Sequence, residues 1–448
     1  MSFKESNIQG IGAIPSHWEI KEMKYCLLPG SEGIKIGPFG SALKSEMLIE
    51  DGYKVYGQEN LIKDDFTLGH RFISEEKFKE LEVYEITKKD VLISMMGTVG
   101  KCKVVPANIK KGIMDSHLIR IRFNENLILP EFAAYLIQDS YYIKVQIDLY
   151  SKGSIMSGLN SSIIKNLKLV LPSIEEQKVI LKYISKKNTQ LNQLVDSKNS
   201  LIDLLNQQRQ SIITEAVTKG YNPNVKMKDS GVEWVGEVPE HWEETKLKFV
   251  IRNLIDAEHK TAPYELDGDY LVARTTNIKK GKLILDDAKY TDYAGYKEWT
   301  ERGVPKESDV LLTREAPAGE ACVVPEEPVL CLGQRVVLLK LAQKINSHFL
   351  VWSIYGGVAA TYIKLLSQGS TVSHFNMADI KNIPLLLPTI EEQEKIVQYI
   401  NSKINQFDEL IEKIQTQIKQ LVDYRQSLIF EAVTGKIDVC DIEIDEMR

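Results

Sequence analysis

Two stretches of the chain carry a sustained heptad of apolar positions. Steps of three and four from Leu181 meet Leu181, Ile184, Asn188, Leu191, Val195, Lys198, Ile202, Leu205, Arg209, Ile212 and Ala216. The same steps from Val397 meet Val397, Ile400, Ile404, Phe407, Ile411, Ile414, Ile418, Leu421, Arg425, Leu428 and Ala432. Eight and ten of these eleven positions are apolar, which predicts two long helices with a coiled-coil seam. Each opens after a proline, Pro172 or Pro388, with Ser173 or Thr389 as N-cap and Glu176 or Glu392 completing a capping box. Each ends near a glycine, Gly220 or Gly435. A helix of about 45 residues spans roughly 65 Å. Taken alone, the seam also fits core or oligomerisation helices. The Gln-Arg-Gln-Ser and Arg-Gln-Ser runs at 208–211 and 425–427 read as helix surface.

The remaining segments mix β-branched and aromatic runs with glycine turns. Residues 91–105, 117–123, 270–275, 309–324 and 335–341 read as strands, and 130–147 and 346–366 as helices. The fold class is therefore α+β, with globules of mixed strand and helix beside the two long helices.

Self-similarity organises these pieces. Residues 171–218 match 387–434 at an offset of 216, with 22 of 48 positions identical and no gap. The match extends upstream, where SKGSIMSGLNSSIIKNLKLVLP at 151–172 aligns with SQGSTVSHFNMADIKNIPLLLP at 367–388. IPSHWEIKEMKY at 14–25 matches VPEHWEETKLKF at 238–249, now at an offset of 224. Between these blocks only echoes survive, such as KKDVLIS (88–94) with ESDVLLT (307–313). The chain is a tandem duplication whose halves share a start and a helical end around a divergent middle. A duplicated chain can supply by itself the two-fold symmetry that a homodimer makes with two chains. Antiparallel pairing of the helices would relate the halves by a pseudo-dyad and send the variable domains to opposite ends.

Composition adds limits. The 448 residues are 43% hydrophobic and 26% charged, ordinary for folded chains and unlike disordered ones. No apolar run approaches the roughly 18 residues of a membrane helix, and the five scattered cysteines show no CxxC spacing. Neither a zinc site nor a disulfide framework is expected, and the chain reads as cytoplasmic. The net charge is −6, and residues 390–448 hold 7 basic and 13 acidic groups. Charge leaves a nucleic-acid partner open without supporting it, because phosphate contact depends on local potential.

No catalytic constellation emerges. The string Gly97-Thr98-Val99-Gly100-Lys101 lacks phosphate-loop spacing, no GxGxxG opens a helix, and Asn222-Pro223-Asn224 does not form an amino-methyltransferase loop. No metal ligands are nominated. His17 and His241 recur beside Trp18 and Trp242, a pattern that reads as a structural corner with the indole buried.

The variable regions do carry groups suited to reading bases: Arg or Lys for guanine, Asn or Gln for adenine, and adaptable hydroxyls. In the first half these are Lys35, Lys44, Gln58, Asn60, Ser94, Thr98, Lys101 and His117. In the second they are Arg274, Thr275, Thr276, Asn277, Arg314, Gln334 and Arg335. The shared SxGS loops, with Ser151, Lys152 and Ser154 in one half and Ser367, Gln368 and Ser370 in the other, suit phosphate contact. Any single member of these clusters also reads as a solvated loop residue.

The half-repeat order, the Pro-x-His-Trp blocks, GPFGSALK at 37–44, the SxGS loops and the LPxIEEQ helix openings together resemble the specificity subunit of type I restriction–modification systems. The resemblance covers essentially the whole chain, although GPFGS has no counterpart in the second half. It implies target-recognition domains at 1–172 and 234–388, long helices at 173–219 and 389–435, a linker at 220–233 and an acidic tail at 436–448. It further implies that each domain reads one part of a split DNA site, and that the helices form an antiparallel coiled coil that spaces the domains and docks two methyltransferase subunits. S-adenosylmethionine would then belong to those partners, and ATP and Mg²⁺ to separate motor-nuclease (restriction) subunits, with no cofactor or catalysis in this chain. The competing reading is a stand-alone DNA-binding or coiled-coil scaffold protein with no methylase partner.

Overall fold

The structure, a computed structural model, describes residues 2–96, 100–151, 159–231, 235–258, 260–367 and 375–439. Its contacts divide the chain into two units, Met1–Ser197 with Gln417–Arg448, and Lys198–Thr416. Both long helices are shared between the units.

The first unit opens with an antiparallel hairpin of β1 (Phe3–Glu5) and β2 (Ala13–Pro15). Then follow β3 (Glu19–Glu22), β4 (Ile34–Ile36), β5 (Tyr53–Tyr56), α1 (Gln58–Ile62), β6 (Phe72–Ile73) and α2 (Glu75–Glu80). Next come β7 (Val91–Ser94), β8 (Cys102–Val104), β9 (Gly112–Met114) and β10 (Leu118–Ile121). Helices α3 (Pro130–Asp139), α4 (Tyr141–Ser151) and α5 (Ser161–Asn166) precede β11 (Lys168–Leu171) and the long α6 (Ile174–Lys219). A four-stranded antiparallel sheet has the order β4-β10-β7-β8, a three-stranded sheet the order β6-β5-β9 with β5 and β9 parallel, and β11 pairs with β3.

The second unit repeats this plan. A hairpin of β12 (Met227–Asp229) and β13 (Glu237–Pro239) precedes β14 (Glu243–Lys246), β15 (Ile251–Asp256) and β16 (Tyr270–Ala273). A short hairpin of β17 (Ile278–Lys279) and β18 (Lys282–Leu283) has no equivalent in the first unit among the described residues. Then come β19 (Tyr290–Thr291), α7 (Tyr293–Trp299), β20 (Val310–Thr313), β21 (Ala321–Val323), β22 (Leu330–Leu332) and β23 (Val336–Leu341). Helices α8 (Ser347–Tyr355), α9 (Gly357–Ser367) and α10 (Met377–Lys381) lead to β24 (Pro384–Leu387) and the long α11 (Ile390–Val433). The sheets are β15-β23-β20-β21, β19-β16-β22 and β14-β24, the topology of the first unit.

Alternation along the central strands puts a core on each of their two faces. Val91 and Ile93 of β7 face the helix α3 residues Phe132 and Leu136, whereas Leu92 faces Tyr56 and Met114 of the three-stranded sheet. In β20, Val310 and Leu312 face Phe349 and Leu350 of α8, whereas Leu311 faces Leu271 and Leu330. All four residues of each strand are buried, as expected for strands covered on both faces.

The region expected as one helix at 346–366 is broken into α8 and α9 at Gly356. A Cβ at Gly356 would come within 2.9 Å of Val217 and 3.1 Å of Ile213. Glycine at 356 therefore lets α6 approach closely, and Gly357, at φ +60°, turns the chain into the second helix. The stretch at 130–147 is likewise two helices, α3 and α4.

Each long helix is locked at its first turn. Ser173 and Thr389 accept the Glu176 and Glu392 amides at 3.2 and 3.4 Å, as N-caps should. The glutamate side chains do not fold back to complete a capping box. Glu176 instead accepts the Trp18 indole N–H at 2.9 Å and bonds His17 Nε2 at 3.1 Å. Glu392 does the same with Trp242 at 3.1 Å and His241 at 2.9 Å. Burying an indole N–H without an acceptor would cost more than an unclosed capping box does. The next residue ties down the backbone. Gln177 accepts the Leu129 amide and donates to the carbonyls of Leu127 and Pro172. Gln393 accepts the Asn346 amide and donates to those of Lys344 and Pro388.

Within the first unit the start of α6 packs against the end of α11: Ile180, Tyr183 and Ile184 share a cluster with Leu428, Ile429, Ala432 and Val433. Within the second, Ile213, Ala216 and Val217 cluster with Ile396, Ile400 and Ile404. The helices are therefore antiparallel in both units. Every position of the two heptad stripes is buried or half-buried, whereas Leu194, Leu201, Leu204, Leu410 and Val422 off the stripes are exposed. Of the runs read as helix surface, Gln208 and Ser211 are exposed, but Arg209 turns inward to Asp408 at 3.1 Å. The symmetric Arg425 meets Asn192 at 3.2 Å.

Gln393→Ala strips three buried backbone groups of their partner and is expected to destabilise the second unit by about 1–3 kcal/mol. Hydrogen exchange checks this: the Asn346 amide should exchange faster, and the Leu129 amide, held by Gln177, should be unchanged.

Candidate nucleic-acid interface

In the first unit, loops gather where β7 ends, β10 begins and β5 runs out. Ser94 closes the β7–β8 hairpin: its carbonyl accepts the Gly100 amide at 3.0 Å and its hydroxyl the Lys101 amide at 3.0 Å. The Met95 amide donates to the His117 carbonyl at 2.9 Å, and Gln58 reaches across to the Met96 carbonyl at 2.7 Å. Gln58, Lys101 and His117 thus share one end of the sheet, with His117 exposed and the other two half-exposed.

Asp115, which sequence reading did not single out, organises this end. It is buried, accepts both terminal nitrogens of Arg71 at 3.0 Å, and accepts the His117 amide at 3.0 Å. Gly37 and Gly57 press so close that a Cβ would meet the Asp115 carbonyl oxygen at 1.8 Å and its carboxylate at 2.7 Å, respectively. A lone Asp followed by an exposed His gives no periodic signal. The contact to Arg71, 44 residues away, exists only after folding.

The second unit has equivalent loops with different chemistry. Thr313 replaces Ser94, its carbonyl accepting from Gly319 and its hydroxyl from the Glu320 amide at 2.9 Å each. The Arg314 amide donates to Arg335 as Met95 does to His117. Gly333 stands where Asp115 is, its amide on the Ala273 carbonyl as Asp115's is on Tyr56. Thr276 and Arg335 are exposed, and Thr275, Arg274 and Gln334 half-exposed. Arg335 pairs with Glu315 at 3.1 Å and adopts φ +72°; Arg274 bonds the Asp287 carbonyl.

Four nominated residues are interior, and their assignment as base readers is corrected here. Asn60 is fully buried, bonding the Gly57 amide and the carbonyls of Asp65 and Leu68. Asn277 is its counterpart, bonding the Arg274 amide and the Ile284 carbonyl. Ser94 is the hairpin tie described above. Arg314 is buried against Asp256 at 2.5 Å. Polar side chains that shape loops look, in sequence, like those that loops display. Lys35 is half-exposed on the edge strand β4, and Lys44 is exposed beside Glu46 at 3.4 Å. Thr98, Lys152, Ser154, Gln368 and Ser370 lie outside the described residues, as does the tail beyond 439; Ser151 and Ser367 end α4 and α9. Leu159 and Phe375, which follow the two SxGS loops, donate their amides to Met95 and Arg314.

Among the described residues no thiol is placed as a nucleophile. Cys26, Cys102, Cys322 and Cys331 are buried, and burial pushes Cys26 up to about 11 and Cys322 and Cys331 to about 12. Among the described residues no three His, Cys, Asp or Glu side chains cluster as metal ligands, and no single helix is long and apolar enough to cross a membrane.

Residues 35–203 and 239–420 each match the model of the type I restriction modification DNA specificity domain. The chain belongs to this family. The first match starts in β4, the second at the end of β13, and each runs into a long helix, so the duplication read in the sequence is two copies of one family domain. A putative type I restriction enzyme MjaX specificity subunit of Methanocaldococcus jannaschii is 25% identical over 448 residues, covering 98% of each chain. The MjaVIII specificity subunit of the same organism is 24% identical, covering 98% of this chain and 97% of its own. Among solved structures, a chain from work on complex assembly and conformational transition of the type I R-M system superposes with TM-score 0.63 at 16% identity, over 95% of this chain and 99% of its own. The HsdS subunit from Thermoanaerobacter tengcongensis gives 0.51 at 16%, over 97% and 100%. The two solved structures share this chain's overall fold.

The division into loop ties and displayed groups has a direct check. Asn277→Ala removes buried hydrogen bonds and should lower stability by about 1–3 kcal/mol. Arg335→Ala, at an exposed side chain, should stay within about 0.5 kcal/mol of the parent. Denaturant titration of both variants reads the difference.

Proposed function

We propose that each domain of this specificity chain reads one half of a bipartite double-stranded DNA site, and that the chain itself performs no reaction. One observation carries the reading: two domains with the same topology display different groups at equivalent loop ends. Gln58, Lys101 and His117 stand in one, and Thr276, Gln334 and Arg335 in the other. A shared scaffold holding unlike hydrogen-bonding groups is what two different half-sites require. Lys35, Lys44, Arg274 and Thr275 flank these groups, and the SxGS loops supply phosphate contacts.

Membership of the family supports a set of partners. Two methyltransferase subunits dock on the long helices, bind S-adenosylmethionine and methylate adenine N6. Motor-nuclease subunits, where the host has them, bring ATP and Mg²⁺. This chain contributes address, in the cytoplasm where the DNA is. The acidic net charge is compatible with this, since partner subunits can supply phosphate contacts.

Mapping methylated adenines in host DNA would give both half-sites and the spacer together. Gln58→Ala or Lys101→Ala should then relax recognition only in one half-site and Arg335→Ala only in the other, each by about 1–3 kcal/mol for a lost base contact. Relaxation of both half-sites by one substitution would contradict the assignment, and a chain that never co-purifies with a methyltransferase would favour the stand-alone scaffold. The helices also set the spacer: removing one heptad from each should change the preferred half-site separation, and an unchanged spacer would refute that role.

A further inference from the structure

The hairpin that only the second domain shows among the described residues turns on lysines. β17 and β18 pair Ile278 with Leu283 and Lys279 with Lys282, leaving Lys280 and Gly281 as a two-residue turn. Both take positive φ, +50° and +82°, the type I′ geometry that suits strand twist. Gly281 fits the second position, where a Cβ would also lie 3.2 Å from the Trp352 ring. Lys280 is the unexpected choice. Its position favours Asn, Asp or Gly, and a lysine there holds a backbone conformation that its side chain disfavours.

The hairpin is held on three sides. Ile278 is buried in the core beneath it, the Lys280 amide donates to Glu320 at 2.8 Å, and Lys282 reaches Asp408 of α11 at 3.3 Å. Glu320 donates its own amide to Thr313, the tie at the sheet end where Thr276 and Arg335 are displayed. Carboxylates are present nearby but engaged. Glu320 accepts the Tyr355 hydroxyl at 2.6 Å, and Asp287 lies 3.5 Å from both Arg274 and Lys289. Lys279 and Lys280 are exposed, and among the described residues neither ammonium pairs with a carboxylate.

The corresponding segment of the first domain, from Leu61 to Arg71, also follows a buried asparagine, Asn60 in place of Asn277. It opens with Lys63, Asp64 and Asp65 instead of three lysines. Asp64 pairs with Lys103 at 2.6 Å, and Asp65 accepts the Thr67 amide at 2.8 Å. Two unpaired cations held in place raise the local potential whatever the net charge of the chain. A duplex carries phosphates beside every base it offers, so phosphate is the anion met at this end of the sheet.

We propose that the β17–β18 hairpin is a phosphate clamp, with Lys279 and Lys280 contacting the DNA backbone beside the half-site that the second domain reads. The proposal rests on the bipartite reading above. It adds a contact that is indifferent to base sequence and belongs to one domain only.

The test uses the full chain co-expressed with its methyltransferase subunits. Binding to the mapped duplex and to a scrambled one is measured across salt concentrations. Lys279→Gln and Lys280→Asn each remove one charge. Asparagine suits the left-handed turn position, so Lys280→Asn should melt at or above the parent temperature. Each substitution should make the slope of log K against log salt shallower by about 1, and the pair together by about 2. Affinity for both duplexes should fall by the same factor, with base preference as in the parent. An unchanged slope in the double variant overturns the proposal. So does an altered base preference, which makes the lysines readers, or loss of the methyltransferase subunits, which gives the hairpin to a protein partner. A parent complex that binds mapped and scrambled duplexes alike overturns the bipartite reading, while the slopes still decide the clamp.

Discussion

A glutamate and a glutamine, adjacent in the first turn of each long helix, hold this protein together. Glu176 and Glu392 each accept a tryptophan N–H, and Gln177 and Gln393 each bind three backbone groups of the chain that leads into the helix. Carboxylate and amide act at a helix N-terminus, where the dipole favours negative charge and free backbone donors need partners. The other ends of the helices meet the same corners. A Cβ at Gly435 would lie 2.6 Å from Pro15 and 3.0 Å from Trp18, and Gly220 lies against Trp242. One corner in each unit thus receives the start of one long helix and the end of the other, and this fixes their antiparallel direction.

The corner explains why the repeat is so uneven along the chain. Its residues are needed twice, in the same geometry, and the matched blocks are the ones that build it. The domain middles have no such demand. Their sheets need only alternating apolar residues that serve two cores, a pattern many sequences satisfy. Topology survived there while side chains at the loop ends diverged, for example from Asp115 to Gly333. A scaffold tolerant of loop change is the physical requirement for two domains with different addresses.

The helices themselves show how little of a seam is specific. Along their middles the apolar stripe is narrow. At each end it widens, so that Ile180, Ile213, Ile396 and Ile429 off the counted heptad are buried as well. There the helix packs on its own domain in addition to the other helix. The arginines in the stripe are accommodated by polar partners on the opposite helix, Asp408 and Asn192, themselves related by the internal offset of 216.

The duplication, the two long helices, their seam and the buried tryptophan corner were legible in the sequence, because each is a periodic or repeated pattern within short reach along the chain. The resemblance to type I specificity subunits rested on those same blocks. The tertiary structure decided which polar residues the loops display and which they consume. Asn60, Ser94, Asn277 and Arg314 were indistinguishable from surface readers until folding showed them bonding the backbone or a half-buried aspartate. Asp115 and Arg71 became a pair only through a contact spanning 44 residues. Periodicity reports what a residue's neighbours in sequence make of it, whereas burial and hydrogen bonding depend on neighbours in space, which no local pattern encodes.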